Sequence, residues 1–258
     1  MALLEVRDVS KRFGGVQAIQ RMSLTIDRGE IVGVIGPNGA GKTSFFNAIT
    51  GLVRIDEGQV LFCDGKHKLQ GMSPNRILEK GLARTFQNLR IFSHMTVLEN
   101  VAVGLHTRTN YDLWDAFLKT RRYCVEEKRI RKRSMDLLDF IGIGKLADEV
   151  AANLSYGNQK RLEIARALAC EPKLLLLDEP VAGMNPTEKG EIVALVKKIR
   201  ERNIAILLIE HDMRFVMPLS ERIIVMDEGK KIAEGKPEEI QKNPRVIQAY
   251  LGEEAMHA

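Results

Sequence analysis

Residues 36–43 read GPNGAGKT, three glycines followed by a Lys-Thr pair. Such glycines let a loop curl until successive backbone N–H groups point inward at one anion, and the spacing fits the phosphate-loop pattern GxxxxGK[ST]. Gly36, Pro37, Asn38, Gly39, Ala40 and Gly41 would form the cradle. Lys42 would reach β and γ phosphates and Thr43 would ligate Mg²⁺, with Ser44 counted to the same nucleotide site; a helix starting here adds partial positive charge. A second stretch, LLLLDEP at 174–180, ends four apolar residues on adjacent carboxylates. Asp178 would hold Mg²⁺ through water, and Glu179 would polarise an attacking water as general base. In LIEHD, His211 follows another apolar run and would hydrogen-bond a γ-phosphate. Gln87, in RTFQ, would orient the metal or the water.

These groups act together only if the chain brings their elements to one edge. EIVGVIG reads as a central buried strand, followed by the glycine-rich turn and a helix from about 41 to 51. LLLLD and IAILLI are likewise apolar on both faces. In a parallel sheet the carboxyl ends of all such strands share the edge where ligands bind. LLEVRDV, MSLTI and GQVLFCDGK read as strands of the N-terminal part, the last ending in an Asp-Gly turn. SPNRILEKG carries a short helix and LARTF another strand. Between 88 and 153 the apolar spacing becomes helical, in TVLENVAVGLH, YDLWDAFLK and KRSMDLLDFIGI. Strand and helix then alternate through LSYGNQKRLEIARAL, LLLLD, PTEKGEIVALVKKIRE, IAILLIEH, DMRFVMPLS and RIIVMDEGK, as in a mostly parallel α/β sheet with covering helices.

The 258 residues, 45% hydrophobic and 28% charged, are those of a globular protein and exclude a disordered chain. No apolar run approaches the roughly 20 residues of a membrane span, and the N-terminus lacks the apolar core of a secretory signal. Three cysteines, Cys63, Cys124 and Cys170, have no metal-ligand spacing and fit a reducing compartment. Much of the net charge of +5 comes from RRYCVEEKRIRKR at 121–133. This reads first as a solvated helix face, with Glu126 and Glu127 near Arg129 and Arg131, and second as a surface for a membrane or a partner.

Together, and in this order, the motifs resemble the ATP-binding cassette ATPases over nearly the whole chain. The resemblance implies a P-loop NTPase (RecA-like) core with a mostly parallel sheet, an N-terminal antiparallel β-subdomain and an inserted α-helical subdomain. It divides one ATPase domain, 1–258, into 1–87 with the phosphate loop, a helical part at 88–156, and 157–258. GPNGAGKT then corresponds to Walker A, LLLLD to Walker B with Glu179 as catalytic base, Gln87 to the Q-loop glutamine and His211 to the switch histidine. Phe13, in KRFGG, is similar to the aromatic on which adenine stacks. Leu154, Ser155, Tyr156, Gly157 and Asn158 resemble the signature motif. In the family this motif acts on ATP held by a second cassette in a head-to-tail dimer, so a lone cassette would be nearly inactive. Gly157 in particular asks for a backbone that something approaches closely. Two departures stand out: LSYGN in place of LSGGQ, and AGMN at 182–185 in place of SALD, which puts the amide of Asn185 where an Asp is usual.

RTFQ, the IF and MTVLEN segments, the insertion containing Trp114, the YG variant, AGMNP and the ending NPRVIQAYLGEE resemble the ATP-binding subunits of branched-chain amino acid importers. That implies ATP and Mg²⁺ as cofactors, a homologous or identical second ATPase subunit, two integral membrane permeases, and an external binding protein reached indirectly. It also implies a peripheral place on the cytoplasmic face of the membrane. A lipopolysaccharide or lipid export cassette would share the ATP residues but have a shorter insertion. A soluble cassette of iron–sulfur assembly would co-purify with scaffolds. A nucleic-acid-binding module fits the charge alone, and no nucleic acid partner is expected.

Overall fold

The computed structural model describes residues 2–106 and 113–256; of 251–256, and of Leu113 and Ala116, only the backbone is described. Tyr111 and Asp112 of the expected YDLWDAFLK helix lie outside the described residues. In chain order the N-terminal half contains strands β1 (Leu4–Phe13), β2 (Val16–Ile26) and β3 (Ile31–Ile35), helix α1 (Lys42–Ile49), strands β4 (Glu57–Phe62) and β5 (His67–Lys68), helix α2 (Pro74–Lys80) and strand β6 (Leu82–Arg84). Four helices follow: α3 (Val97–His106), α4 (Leu113–Phe117), α5 (Arg121–Ile141) and α6 (Tyr156–Ala169). The rest runs β7 (Leu174–Asp178), α7 (Pro186–Glu201), β8 (Ala205–Ile209), α8 (Met213–Val216), β9 (Arg222–Asp227), β10 (Lys230–Gly235), α9 (Pro237–Gln241) and α10 (Pro244–Met256).

Two sheets result. The first is antiparallel, in the order β2-β1-β4-β5; the second has the order β10-β9-β3-β8-β7-β6 and is parallel except for β10. Strands β3, β7 and β8 are buried along their whole length because both faces of the second sheet are covered. Their side chains alternate between two cores. Ile31, Ile35, Leu175, Leu177, Ile206 and Leu208 pack with the helices of one face, including Val97 and Val101 of α3 and Leu162 and Ala165 of α6. Val32, Val34, Leu174, Leu176, Leu207 and Ile209 pack with Phe45, Phe46 and the antiparallel sheet. The sheet is therefore a wall between two apolar layers, and only its edges are left for chemistry.

Several elements differ from their expected extent. LARTF yields only the three-residue β6, although Thr85 still donates its N–H to the Leu176 carbonyl at 2.9 Å. The basic run at 121–133 joins the following apolar segment in one 21-residue helix, α5, which Thr120 caps and Gly142 ends in a left-handed conformation. Strand β10 and helices α9 and α10 lie beyond the last element read from the sequence; short amphipathic pieces at a sheet edge carry little periodic signal.

Candidate active site

The carboxyl ends of β3, β6, β7 and β8 lie along one edge, in register: Arg84 opposite Leu176, Asp178 opposite Ile209, and Ile209 opposite Val34. Gly36 follows β3 and Glu179 follows β7 directly, while His211 stands two positions past β8 and Gln87 three past β6.

After β3 the glycines meet hard steric limits. A Cβ on Gly36 would stand 2.0 Å from the Met226 carbonyl oxygen, and one on Gly41, at φ 94°, would stand 2.4 Å from that of Ala18. Side chains are excluded there, because the loop backbone packs directly against its neighbours. Gly41 is the N-cap of α1 without a side-chain cap, and the first turn holds no acidic residue, so the helix N-terminus favours an anion. The Lys42 ammonium folds into the loop and donates to the carbonyls of Gly36 at 2.6 Å and Pro37 at 2.8 Å. Thr43 is exposed beside it, Ser44 is half-buried, and Asn38 and Gly39 lie open at the loop's crest.

Asp178 ends β7 in full burial. Its Oδ2 accepts from Arg84 Nη2 at 2.7 Å, while Oδ1 is buried without a hydrogen-bond partner. An unpartnered, buried carboxylate oxygen at this edge fits a hard cation, which takes few protein oxygens and keeps water and phosphate for the rest. The residues thus suit Mg²⁺, with Asp178, Thr43 and Gln87 as its proposed holders.

Glu179 adopts φ 47°, a left-handed conformation that costs a non-glycine residue about 1–2 kcal/mol. Its N–H is tied to the Ile209 carbonyl at 2.9 Å. The strained turn aims the carboxylate along the edge, where Oε2 accepts from Gln87 Nε2 at 3.1 Å. His211 Nδ1 stands 3.8 Å from Glu179 Oε1 and 3.8 Å from Glu210 Oε2. Gln87, Glu179 and His211, from three strand ends, therefore converge. Phe13 sits at the exposed end of β1, with the Lys11 ammonium 5.4 Å from its ring centroid, and contributes to neither core.

Ser155 caps α6, its hydroxyl accepting from the Asn158 N–H at 3.4 Å, and the helix begins at Tyr156. Leu154 and Asn158 are half-buried. Within this chain the object that approaches Gly157 is Glu188: a Cβ on Gly157 would stand 2.9 Å from Glu188 Oε1. Glu188 is held by a capping box, accepting from the Asn185 N–H at 3.0 Å while Asn185 Oδ1 accepts from the Glu188 N–H at 3.0 Å. Asn185 thus starts α7 as well as an Asp would, so the amide in AGMN keeps the cap. Tyr156 is half-exposed, and a Cβ on Gly183 would lie 3.6 Å from its ring. Partial burial, then the charges of Glu163 and Glu179, push its phenol above the usual range, so it stays neutral.

The family described as ABC transporter matches residues 19–182. Over 252 residues the chain is 44% identical to the high-affinity branched-chain amino acid transport ATP-binding protein LivG of Escherichia coli K12, covering 97% of this chain and 98% of the relative. The chain belongs to the ABC transporter family of ATP-binding cassettes. The cassette is also 42% identical, with the same coverage, to the corresponding BraF protein of Pseudomonas aeruginosa. Residues 230–256 match the family described as branched-chain amino acid ATP-binding cassette transporter. Among solved structures, a nucleotide-free cassette from an ABC transporter superposes with TM-score 0.84 at 31% identity, covering 97% of this chain and 99% of that one. A dimeric cassette bound to ADP and phosphate superposes at 0.76 and 26% identity, covering 91% and 98%.

Four charged residues of the cassette escaped the sequence reading. Arg84 donates to Asp178 and also to Asn47 Oδ1 at 2.7 Å, with its guanidinium over the rings of Phe46 and Phe86. Lys160, fully buried in α6, donates to the carbonyls of Phe86 at 3.2 Å and Gln87 at 3.1 Å. Glu163, one turn on, accepts from the Phe86 N–H at 3.0 Å and lies 3.7 Å from Lys160. Glu210 accepts from the N–H groups of Val181 at 3.1 Å and His211 at 3.2 Å. Burial pushes both glutamates above the usual carboxylate range. The available signal was a charge on the apolar face of a helix or at the end of an apolar strand, which demands a buried partner.

Proposed function

We propose that this ATPase drives an importer of branched-chain amino acids, with Glu179 as general base for the water that attacks the γ-phosphate. One observation carries the residue assignment: the Glu179 carboxylate stands between the Gln87 amide and the His211 imidazole on the edge that also presents the phosphate loop. Lys42 and backbone N–H groups of the 36–41 loop bind the phosphates, and Phe13 stacks on adenine. When bound, Mg²⁺ neutralises charge on the β and γ phosphates. Gln87 orients the water, Glu179 takes its proton, and His211 holds the γ-phosphate.

The solute assignment rests on the names of the relatives and on the match at residues 230–256. No helix among the described residues is long and apolar enough to cross a membrane. We assign the cassette a peripheral place on the cytoplasmic face, with two permease subunits and, through them, an external binding protein. A pocket of ≈ 310 Å³ lined by Phe86, Arg90, Val103, Glu163 and Arg166 lies against the Gln87 segment and suits a short permease helix. A second, homologous or identical, cassette pairs head to tail, so that Leu154, Ser155, Tyr156, Gly157 and Asn158 engage the partner's ATP. In this division, 1–87, 88–156 and 157–258, the helical part faces the permease and the two core parts hold the nucleotide.

Uptake of labelled leucine, isoleucine and valine in cells lacking the gene tests the solute. Loss of all three, restored by the wild-type gene and not by Glu179→Gln, is expected. Unchanged uptake together with a defect in envelope lipid would replace the importer by an exporter.

A further inference from the structure

The α4–α5 hairpin carries features that nucleotide chemistry does not use. Four large apolar side chains stand out of the surface within twelve residues: Trp114 (73% exposed), Phe117 (80%), Leu118 (67%) and Val125 (59%). The rings of Trp114 and Phe117 meet edge to face, 6.5 Å between centroids. The opposite side of α4 faces α5, where Asp115 Oδ1 accepts from the Thr120 hydroxyl at 2.8 Å and Arg122 comes within 3.8 Å of Oδ2. Further along, α5 buries Ile130, Ser134, Leu138 and Ile141 and turns Arg121, Val125, Lys128 and Lys132 outward at helical spacing.

Residues 119–133 hold eight Lys and Arg against two Glu, a local excess larger than the chain's net +5. Outside residues 119–133 the protein is therefore close to neutral, and its basic character is concentrated in this segment. Arg129 pairs with Glu126 at 3.6 Å and Arg133 with Glu171, whereas Lys119, Arg121, Lys128, Arg131 and Lys132 make no ion pair among the described residues. A purely solvated helix face gains nothing from a Trp, a Phe and a Leu displayed at its start. An aromatic and aliphatic tip beside a cation-rich face is instead the composition that seats at a bilayer's headgroup level, with lysine and arginine stems reaching phosphates.

We propose that the α4–α5 hairpin is a membrane-contact surface for anionic phospholipid headgroups. Trp114, Phe117 and Leu118 enter the headgroup boundary, and Arg121, Lys128, Lys132 and their neighbours hold the lipid phosphates. The inference is independent of the transported solute and of the reaction at Glu179.

Trp114 is the chain's only tryptophan, so its fluorescence reports this surface alone. The purified full-length protein is floated with vesicles of phosphatidylcholine, or of phosphatidylcholine mixed with phosphatidylglycerol, at low and high salt. Binding to the mixed vesicles only, reversed by salt and accompanied by a blue shift of Trp114, is expected. Each of Arg121→Gln, Lys128→Gln and Lys132→Gln should weaken it about fivefold. Phe117→Ala with Leu118→Ala should weaken it further, with ATP hydrolysis unchanged. Binding indifferent to phosphatidylglycerol, or without change in Trp114 emission, overturns the proposal. So does a protein that ignores vesicles but loses co-purifying permease subunits in the same variants, which makes the hairpin a protein-docking surface.

Discussion

The Lys160 ammonium, buried in α6, donates to the backbone carbonyl of Gln87 at 3.1 Å. Glu163 completes the grip by accepting from the Phe86 N–H at 3.0 Å, and Gln87 in turn donates to Glu179 at 3.1 Å. A helix that opens on Ser155 is therefore joined through one turn of charged side chains to the residue proposed as general base. Movement of that helix would be felt at Gln87 first.

Lys160→Met should lower ATP turnover, because the Phe86 and Gln87 carbonyls each lose a charge-assisted hydrogen bond. It should also cost about 3 kcal/mol of stability, since Glu163 is left buried without its cation. Coupling separates positioning from mere destabilisation. In a Gln87→Ala background the same substitution should change turnover little, while fully multiplicative losses would show that Lys160 acts elsewhere. Lys160→Arg should restore part of the activity.

Glu179→Gln removes the proton acceptor and keeps the shape and the hydrogen-bonding reach toward Gln87. Hydrolysis should fall by roughly 100-fold or more, the usual contribution of a positioned general base. Nucleotide affinity, measured with a fluorescent ATP analogue, should stay close to wild type. Undiminished turnover would remove Glu179 from that role.

Arg84→Met leaves both Asp178 carboxylate oxygens in a buried place without their cation. Removing one member of a buried pair costs about 3 kcal/mol or more, equivalent to a fall in Tm of roughly 6–12 °C for a domain of this size. The double substitution Arg84→Met with Asp178→Asn should recover part of the loss in a thermal melt, since the stranded charge is gone. Equal melting of wild type and Arg84→Met would show that the pair adds nothing to stability.

Burial raises the Glu163 carboxyl above its ordinary value of 4.5 in the folded chain. A group raised on folding contributes stability below its unfolded pKa, and that contribution is lost as pH rises through the folded pKa. Glu163→Gln has no such loss, and its side-chain oxygen can still accept from the Phe86 N–H. The Tm of the variant relative to wild type should therefore climb as pH rises above 4.5 toward neutrality. A difference that is flat with pH, or that moves the other way, would show that Lys160 keeps the carboxylate ionised at little cost.

The sequence by itself determined what the strand ends present. Apolar runs at 31–35, 174–178 and 205–209 are buried on both faces and must be central parallel strands, so their carboxyl ends share an edge. That local logic placed Gly36 to Thr43, Asp178 and His211 near one another. The structure brings Glu179 within hydrogen-bonding reach of Gln87 and close to His211. Only the tertiary structure decided who holds these residues. Arg84 meets Asp178 across 94 positions of chain and Glu163 meets Phe86 across 77. The partner of a buried charge is set by packing in three dimensions, and a one-dimensional spacing carries no record of it. The same holds for Gly157. Its type announced a close approach, but that Glu188 of the α7 capping box is the neighbour followed only once α6 and α7 were packed together.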